Sequence, residues 1–259
     1  MGGISFDRAA DYYDATRRLP DDVDARVSEI LHSELRHRGR ALEIGVGTGR
    51  IALPLVQRGI DLIGMDLART MLARLVAKGR RANPLWLVAG DGTALPLAGA
   101  SVDAVLMCHV LHLVPDWRGA LDEAVRVLRP HGVLLLDFGG PTTKPWSDGC
   151  DEILRSHGIV RSRPGMSDPG PVSDHLGRHT PVRALPLIRF SLSTSLADEL
   201  GEWEQQHLAW TWPYEPAQIH AACDEIRSVA GRRGWRLDEA QTVPSAIQWW
   251  AFDVAPGRR

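Results

Sequence analysis

Three glycines at alternate positions, Gly45, Gly47 and Gly49, follow the run Ala41-Leu42-Glu43-Ile44 and precede a stretch of helical pattern. Glycine takes positive φ without steric cost and lets backbone approach a ligand closely. A helix N-terminus behind such a turn favours a polar or anionic ligand group. Asp66 stands 17 residues after Gly49, at the end of the run Ile60-Asp61-Leu62-Ile63-Gly64-Met65. A carboxylate at a strand end there can accept both hydroxyls of a ribose. Asp91, in Gly90-Asp91-Gly92-Thr93, closes a third run and would sit at the base end of the same cleft. Together these residues describe a site for a nucleoside. His109 and His112 follow a fourth run that ends in Met107-Cys108. Histidine changes charge near neutrality and can take a proton from a phenol or an amine.

The elements that must hold these residues are short apolar runs alternating with helical patterns. The runs span residues 41–44, 60–65, 84–89, 101–108 and 132–138. Runs this apolar suit strands covered by helices on both faces, so the expected fold is α/β, a doubly wound parallel sheet. Helices are predicted over 49–58, 68–81 and 116–128, with Arg129-Pro130-His131-Gly132 as a stop. Ahead of the sheet, residues 21–38 form an amphipathic helix with Val23, Val27, Ile30, Leu31 and Leu35 on one side. Three regions follow: a cap over 1–39, a nucleotide-binding half over 40–139, and a variable part over 140–259. In the last, 139–145 and 161–186 are Gly-, Pro- and Ser-rich and are predicted as loops. Helices are predicted over 146–158, 196–208 and 216–232, a strand within 184–195, and a last strand over 246–254. Six of the nine tryptophans (Trp203, Trp210, Trp212, Trp235, Trp249 and Trp250) fall after residue 200. They wall a pocket for an apolar or aromatic molecule or fill a core; of Trp249 and Trp250 at least one must face core.

Several function classes lose support. A dinucleotide fingerprint would need glycine at position 50, where the chain has Arg50. The Tyr-Lys pair of short-chain dehydrogenases is missing, because Tyr12, Tyr13 and Tyr214 are followed four residues on by Thr16, Arg17 and Gln218. Net charge is −2, and the basic stretches Arg36-His37-Arg38-Gly39-Arg40, Arg80-Arg81 and Arg232-Arg233 are short, so nucleic acid is not an expected partner. No apolar run approaches a membrane span and no apolar signal core opens the chain. Three widely spaced cysteines suit a reducing cytoplasm. No metal is expected: His109 and His112 would need two more ligands, and the cysteines lack C-x-x-C spacing. The chain is expected as a monomer or homodimer.

Read in order, the phrases EIGVGTGR, MDLARTML, AGDGTALPLAGASVDAVLMCHVLHLVPDW and VLRPHGVLLLDF resemble the class I S-adenosylmethionine (SAM)-dependent methyltransferases. The likeness is to the type 11, ubiquinone/menaquinone-biosynthesis-like small-molecule enzymes, over roughly residues 5–139. It implies a Rossmann-like seven-stranded sheet with an antiparallel last strand, the final two strands forming a hairpin. It also implies an N-terminal helical cap over the cofactor and a C-terminal helical insert that builds the acceptor pocket. The implied cofactor is SAM, the product S-adenosylhomocysteine, and the partner a small, apolar or aromatic methyl acceptor. Gly45, Gly47 and Gly49 would turn under the methionine moiety, with Glu43 orienting the turn or reaching the amino group through water. Asp66 would hold the ribose, or instead cap the helix before Ala68. Met65 or Leu67 would touch adenine, and Asp91 and Gly92 would face it; Met71 and Thr93 complete that end. Tyr12 or Tyr13 would meet the methionine part, and Arg17 or Arg18 its carboxylate. Cys108 and His109 would end beside the methyl group.

Methyl transfer from a sulfonium is an in-line displacement on an activated carbon, so alignment and exclusion of water carry most of it. His109 and Tyr13 are the catalytic candidates, with His112, His175, His179 and His207 as weaker ones. Nucleic-acid amino-methylation would need a motif that Asn83-Pro84-Leu85-Trp86 lacks, and Cys108 does not follow a proline. The remaining alternatives are a SAM-fold enzyme of non-methyl chemistry, a non-catalytic SAM-fold subunit, and an NAD(P)-dependent oxidoreductase.

Overall fold

A computed structural model describes residues 3–79, 85–139, 144–177 and 180–254. In chain order its elements are α1 (Tyr13–Thr16), α2 (Asp21–Leu35), β1 (Ala41–Ile44), α3 (Ala52–Gln57), β2 (Leu62–Asp66), α4 (Arg69–Gly79), β3 (Trp86–Ala89), β4 (Val102–Cys108), α5 (Trp117–Val127) and β5 (Leu128–Asp137). Then come α6 (Ser147–Ser156), α7 (Pro169–Leu176), β6 (Val182–Ala184), β7 (Ile188–Thr194), α8 (Leu196–Glu204), α9 (Pro216–Ala230), β8 (Gln241–Ile247) and β9 (Trp249–Asp253). They fall into two compact units. One holds Met1–Gly139, Pro164–Ile188 and Ile247–Arg259; the other holds Gly140–Arg163 and Arg189–Ala246.

The first unit is built on a seven-stranded sheet of order β3-β2-β1-β4-β5-β9-β6. Strands β1 to β5 run parallel, and β9 lies antiparallel between β5 and β6. The expected doubly wound sheet with an antiparallel last strand is therefore present. All four residues of β1 are buried, as are the last six of β5, which is why these runs carry almost no polar residue. The order reverses between β1 and β4, and Ile44 pairs with both Met65 and Met107. That places Gly45, Asp66 and Cys108 at one edge, at the topological switch point where open α/β sheets bind ligands.

Several boundaries differ from the predicted ones for identifiable reasons. Helix α3 begins at Ala52 rather than at residue 49. Pro54 has no N–H to bond the carbonyl of Arg50, so the first regular turn starts late. Leu128 belongs to β5: it pairs with Val102, and pairing resumes at Ala104 with Val133 after a register shift. The stop at Arg129-Pro130-His131-Gly132 is thus an excursion inside the strand, with His131 at φ +66°. The stretch 161–186 is not all loop. Asp168 accepts a hydrogen bond from Gly170 N at 2.7 Å and Pro169 occupies the first turn, so a helix forms and buries Val172 and Leu176. The antiparallel pair expected to end the sheet is formed by β6 and β9, joined not by a tight turn but through residues 185–248, within which β7 and β8 pair in a two-stranded sheet of their own. The predicted strand over 246–254 is split at Gln248, whose side chain bonds the carbonyl of Leu185. The predicted start of the third strand at Pro84 and the candidate His179 lie outside the described residues.

The second unit packs α6, α8 and α9 around Trp146, Cys150, Leu196, Leu200, Trp203, Ile219 and Cys223. Its α8 opens with a capping box: Ser195 Oγ accepts from Asp198 N, and Asp198 accepts from Ser195 N, both at 3.0 Å. Trp203 is fully buried, with Arg161 stacked 4.4 Å above its ring and Trp210 edge-on at 5.4 Å. In the first unit, Trp249 is buried while Trp250 is half-buried. Trp203→Ala should cost about 3–5 kcal/mol, seen as a lower urea midpoint. An unchanged midpoint would place the ring outside the structural core.

Candidate functional site

The chain bends three times at the end of β1. Gly45, Gly47 and Gly49 have φ of +72°, +53° and +88°, all in the region that side chains disfavour. They are glycines for different reasons. A Cβ on Gly45 would stand 2.1 Å from Val110 Cγ2, and one on Gly49 2.3 Å from Leu75 Cδ1. Around Gly47 nothing lies within 4 Å, so this residue faces open space. Gly45 N and Val46 N both donate to Met65 O, at 2.8 and 2.9 Å, which ties the turn to β2.

Asp66 completes that tie. Its Oδ2 accepts from Gly47 N at 2.8 Å and its Oδ1 from Ala68 N at 2.8 Å. The bond to Ala68 N is an Asx turn ahead of α4, which starts at Arg69, rather than a cap on its first turn, and two backbone bonds use only half of a carboxylate's acceptor capacity. Burial raises the carboxyl above its usual range, while the amides of Ala68 and Gly47 pull it down. Gly90 N donates to Asp66 O at 3.0 Å and brings the next turn alongside. There Asp91 Oδ1 accepts from both the amide and the hydroxyl of Thr93, at 2.9 Å. Gly92 packs close to Ile44. Leu67 is 38% exposed beside Asp66, whereas Met71 is buried in α4.

Glu43 lies beneath the turn in β1, 2% exposed, and its Oε2 has no hydrogen-bond partner among the described residues. Burial pushes its carboxyl up to about 8, against the pull of Arg50 and with a further push from Asp66.

The N-terminal segment is latched to this cradle by three aspartates. Asp7 accepts from Thr70 N and Oγ1, Asp11 pairs with Arg74, and Asp14 with Lys78 at 2.5 Å. Thr70, Arg74 and Lys78 recur every four residues along one face of α4. Asp14 also accepts from the hydroxyl of Thr48, inside the glycine turn. Of the two tyrosines, Tyr13 points inward: burial raises its hydroxyl, which also feels Arg50, Cys108 and Asp66. Tyr12 contributes its carbonyl to a local turn, accepting from Thr16. Arg18 is not brought to the site; it pairs with Asp21 on the surface and is 70% exposed.

At the ends of β4 and β5 a third group gathers. Cys108 Sγ lies 3.2 Å from Arg50 Nη2 and 3.6 Å from Asp137 Oδ2. His109 Nε2 faces the same Asp137 oxygen at 3.2 Å, and Asp137 Oδ1 accepts from Gly139 N at 2.8 Å. Burial holds the Cys108 thiol well above its usual value although Arg50 opposes this. Burial works against the charge of Arg50, but Cys108, Tyr13, Asp24 and Asp137 together raise its pKa. The donor atoms of Cys108, His109 and Asp137 lie within 4.8 Å of one another, a spacing a metal ion can bridge. Arg50 already supplies a cation against Cys108. His112 stacks edge-on to His109 at 6.4 Å. His175 and His207 instead pair with Asp122 and Glu202. Sequence reasoning missed Asp137, Arg50 and the aspartate latch. An acid ending a parallel strand next to the switch point is the signal that marks Asp137.

The family model of the type 11 methyltransferase domain matches residues 42–136, from β1 to β5. A ubiquinone/menaquinone biosynthesis C-methyltransferase of Syntrophotalea carbinolica is 33% identical over 170 residues, covering 63% of this chain and 71% of that protein. The chain belongs to the type 11 class I methyltransferases. A malonyl-[acyl-carrier protein] O-methyltransferase of Xylella fastidiosa is 34% identical over 142 residues, 54% of this chain and 48% of its own length. The chain spans about half the length of the curated relatives matched first. The YcgJ protein of Bacillus subtilis shares the fold with a TM-score of 0.59 at 19% identity, over 92% of this chain and 100% of that one. The family is SAM-dependent, and the open face at Gly47, the strand-end carboxylate of Asp66 and the orphaned Glu43 oxygen fit such a nucleoside. No helix among the described residues is long and apolar enough to cross a membrane.

Two substitutions separate packing from binding in this chain. Gly45→Ala drives a methyl into Val110 from a disfavoured φ and should cost about 2–4 kcal/mol. Gly47→Ala costs only the backbone strain, about 1 kcal/mol, yet blocks the open face. Thermal melts should fall sharply for the first and little for the second, while SAM binding by calorimetry is lost in the second. Equal melts would refute the distinction. Glu43 has a second consequence. With its pKa raised on folding, its contribution is complete below about 4.5 and is lost as pH rises through about 8. Glu43→Gln should therefore flatten the fall of urea stability between pH 5 and 8; an unchanged slope would contradict the burial account.

Proposed function

We propose that this protein transfers a methyl group from SAM to a small organic acceptor, without a metal ion. The observation that carries the reading is the Gly47–Asp66 cradle, open on the side a nucleoside must approach and held rigid by the amides of Gly47 and Ala68. In this reading Asp66 accepts the ribose hydroxyls, while Leu67, Asp91, Gly92 and Thr93 surround adenine with Met71 packed behind them. Gly45, Gly47 and Gly49 present backbone to the methionine moiety, and Glu43 reaches its amino group through water. Tyr13 lies over the sulfonium side, and Cys108 and His109 border the methyl group. Bound SAM supplies a methyl already activated on a sulfonium. The chain's own task is to align the acceptor, exclude water and remove any proton the acceptor carries.

The cap over 1–39 closes the cofactor site in this proposal, and the aspartate latch is the contact that holds it. Acceptor choice is assigned to residues after 139, which lie outside the matched family domain. An apolar or aromatic acceptor suits their tryptophans. The unpaired cysteines Cys108, Cys150 and Cys223 agree with a cytoplasmic protein. Dinucleotide binding is disfavoured because Arg50, bonded to Cys108, stands at the position of the fingerprint's third glycine. The test is calorimetric titration with SAM, S-adenosylhomocysteine and NADPH. Micromolar binding of both sulfur nucleosides, weakened at least tenfold in Asp66→Ala, is expected. Preference for NADPH, or Asp66→Ala binding as tightly, would reject the assignment.

A further inference from the structure

We propose that Asp14 is the positioning residue of the glycine turn: it fixes the turn through Thr48 and Lys78, so that docking of the N-terminal segment and binding of the nucleoside strengthen each other. This rests on the SAM-binding reading and adds to it how that site is controlled.

Three residues close a ring of contacts. Asp14 Oδ1 accepts from Thr48 Oγ1 at 2.5 Å, Asp14 Oδ2 pairs with Lys78 Nζ at 2.5 Å, and Lys78 Nζ donates to Thr48 O at 3.2 Å. Asp14 belongs to α1 and Lys78 to α4, so the ring ties three segments at one point. Burial works against the charge of Asp14, but Lys78 and Thr48 hold its carboxyl below the usual range. Bonds of these donors to an ionised carboxylate are charge-assisted and stronger than neutral ones.

Thr48 is the residue of the turn that most needs outside support. It is 1% exposed and stands between Gly47 at φ +53° and Gly49 at φ +88°. Gly45, Val46 and Gly47 are tied through their amides to the end of β2, by Met65 O and Asp66. Thr48 is instead gripped by side chains from outside the sheet, its hydroxyl by Asp14 and its carbonyl by Lys78. Without Asp14 the buried hydroxyl loses this acceptor and Lys78 loses this counter-ion, so both grips on Thr48 weaken together. The glycines on either side then have the freedom to let the turn drift.

Tyr13, next in the chain, is the inward half of the device. Its hydroxyl feels Arg50, Cys108 and Asp66, and its ring meets Phe6 edge-on at 6.0 Å. One residue covers the cradle while its neighbour fixes the cradle's shape. Asp7 and Asp11 act differently: they bond Thr70 and Arg74 on α4 and hold the segment without gripping the turn. Linkage makes the effect reciprocal. A nucleoside that needs the turn in this shape favours the docked segment, and the docked segment favours the nucleoside to the same degree.

The experiment titrates S-adenosylhomocysteine by calorimetry into the full chain and its variants. Asp14→Asn and Thr48→Val should each weaken binding about tenfold. The double variant should lose no more than about twofold beyond either, because both remove the same bond. Thr48→Ser, which keeps the hydroxyl, should bind within about twofold of the wild type, and Asp11→Asn should lose less than about threefold. S-adenosylhomocysteine carries no net charge near neutrality, so added salt acts mainly on the latch. Wild-type affinity should fall with salt, and the Asp14→Asn affinity should fall less. Hydrogen exchange reads the same coupling without activity: in the ligand-free protein the amides of Gly47 and Gly49 should exchange faster in Asp14→Asn than in the wild type, with the amides of Ala41–Ile44 unchanged. Wild-type binding together with an Asp14→Asn affinity within twofold, additive losses in the double variant, an equal loss in Asp11→Asn, or unmoved turn amides would each overturn this inference alone. No binding by the wild type would overturn the cofactor reading and this inference with it.

Discussion

The two hydrogen bonds from the amides of Gly47 and Ala68 to Asp66 hold the site together. A glycine-rich turn with positive φ at three positions is entropically costly and has few conformations of its own to fall into. Asp66 converts it into a fixed surface by joining the end of β1 to the end of β2. Charge-assisted bonds from backbone amides are among the stronger neutral–ionic contacts available to a protein. Gly90, bonded to the carbonyl of the same residue, extends the surface to the third strand end. One residue thus sets the geometry of three strand termini, which is why the sheet's switch point forms a cradle rather than three independent loops.

A second constraint is charge. Glu43, Asp66, Cys108 and Asp137 all lie in or under this cradle; burial holds Glu43 and Cys108 toward their neutral forms, and any carboxylate that ionises there gains from a nearby cation. Arg50 is that cation: it touches Cys108, reaches Asp24 at 3.5 Å, and is felt by Glu43 and Tyr13. The residue that argues against a dinucleotide in the sequence therefore has a positive role in the structure. The N-terminal latch obeys the same logic on the outside. Asp7, Asp11 and Asp14 meet one face of α4 through exposed pairs that are individually weak and salt-sensitive.

The parallel strands and the glycine turn are legible in the sequence because both faces of each strand are buried and only glycine tolerates the bends at Gly45, Gly47 and Gly49. The place of Asp66 at the end of β2 is legible too, although its two backbone bonds are not. The elements after residue 139 were harder to read. Helix α7 hides in a Pro-Gly-Pro run that looks like loop until Asp168 caps it. Strand β6 has three residues, too few for any periodicity. The split between β8 and β9 depends on a tertiary bond from Gln248 to Leu185. Asp137 is legible as an acid that ends a strand, but its partner is not, because only the register sets Cys108 opposite it.

The central claim is that this cradle holds a sulfur nucleoside through Asp66 with Gly47 beneath it. A crystal structure of the protein with S-adenosylhomocysteine tests it most directly. The account predicts both ribose hydroxyls within hydrogen-bond distance of the Asp66 carboxylate, and the amino-acid portion lying across Gly45–Gly49 toward Cys108 and His109. A ribose bound away from Asp66, or a nucleoside seated anywhere but the ends of β1 and β2, would contradict it.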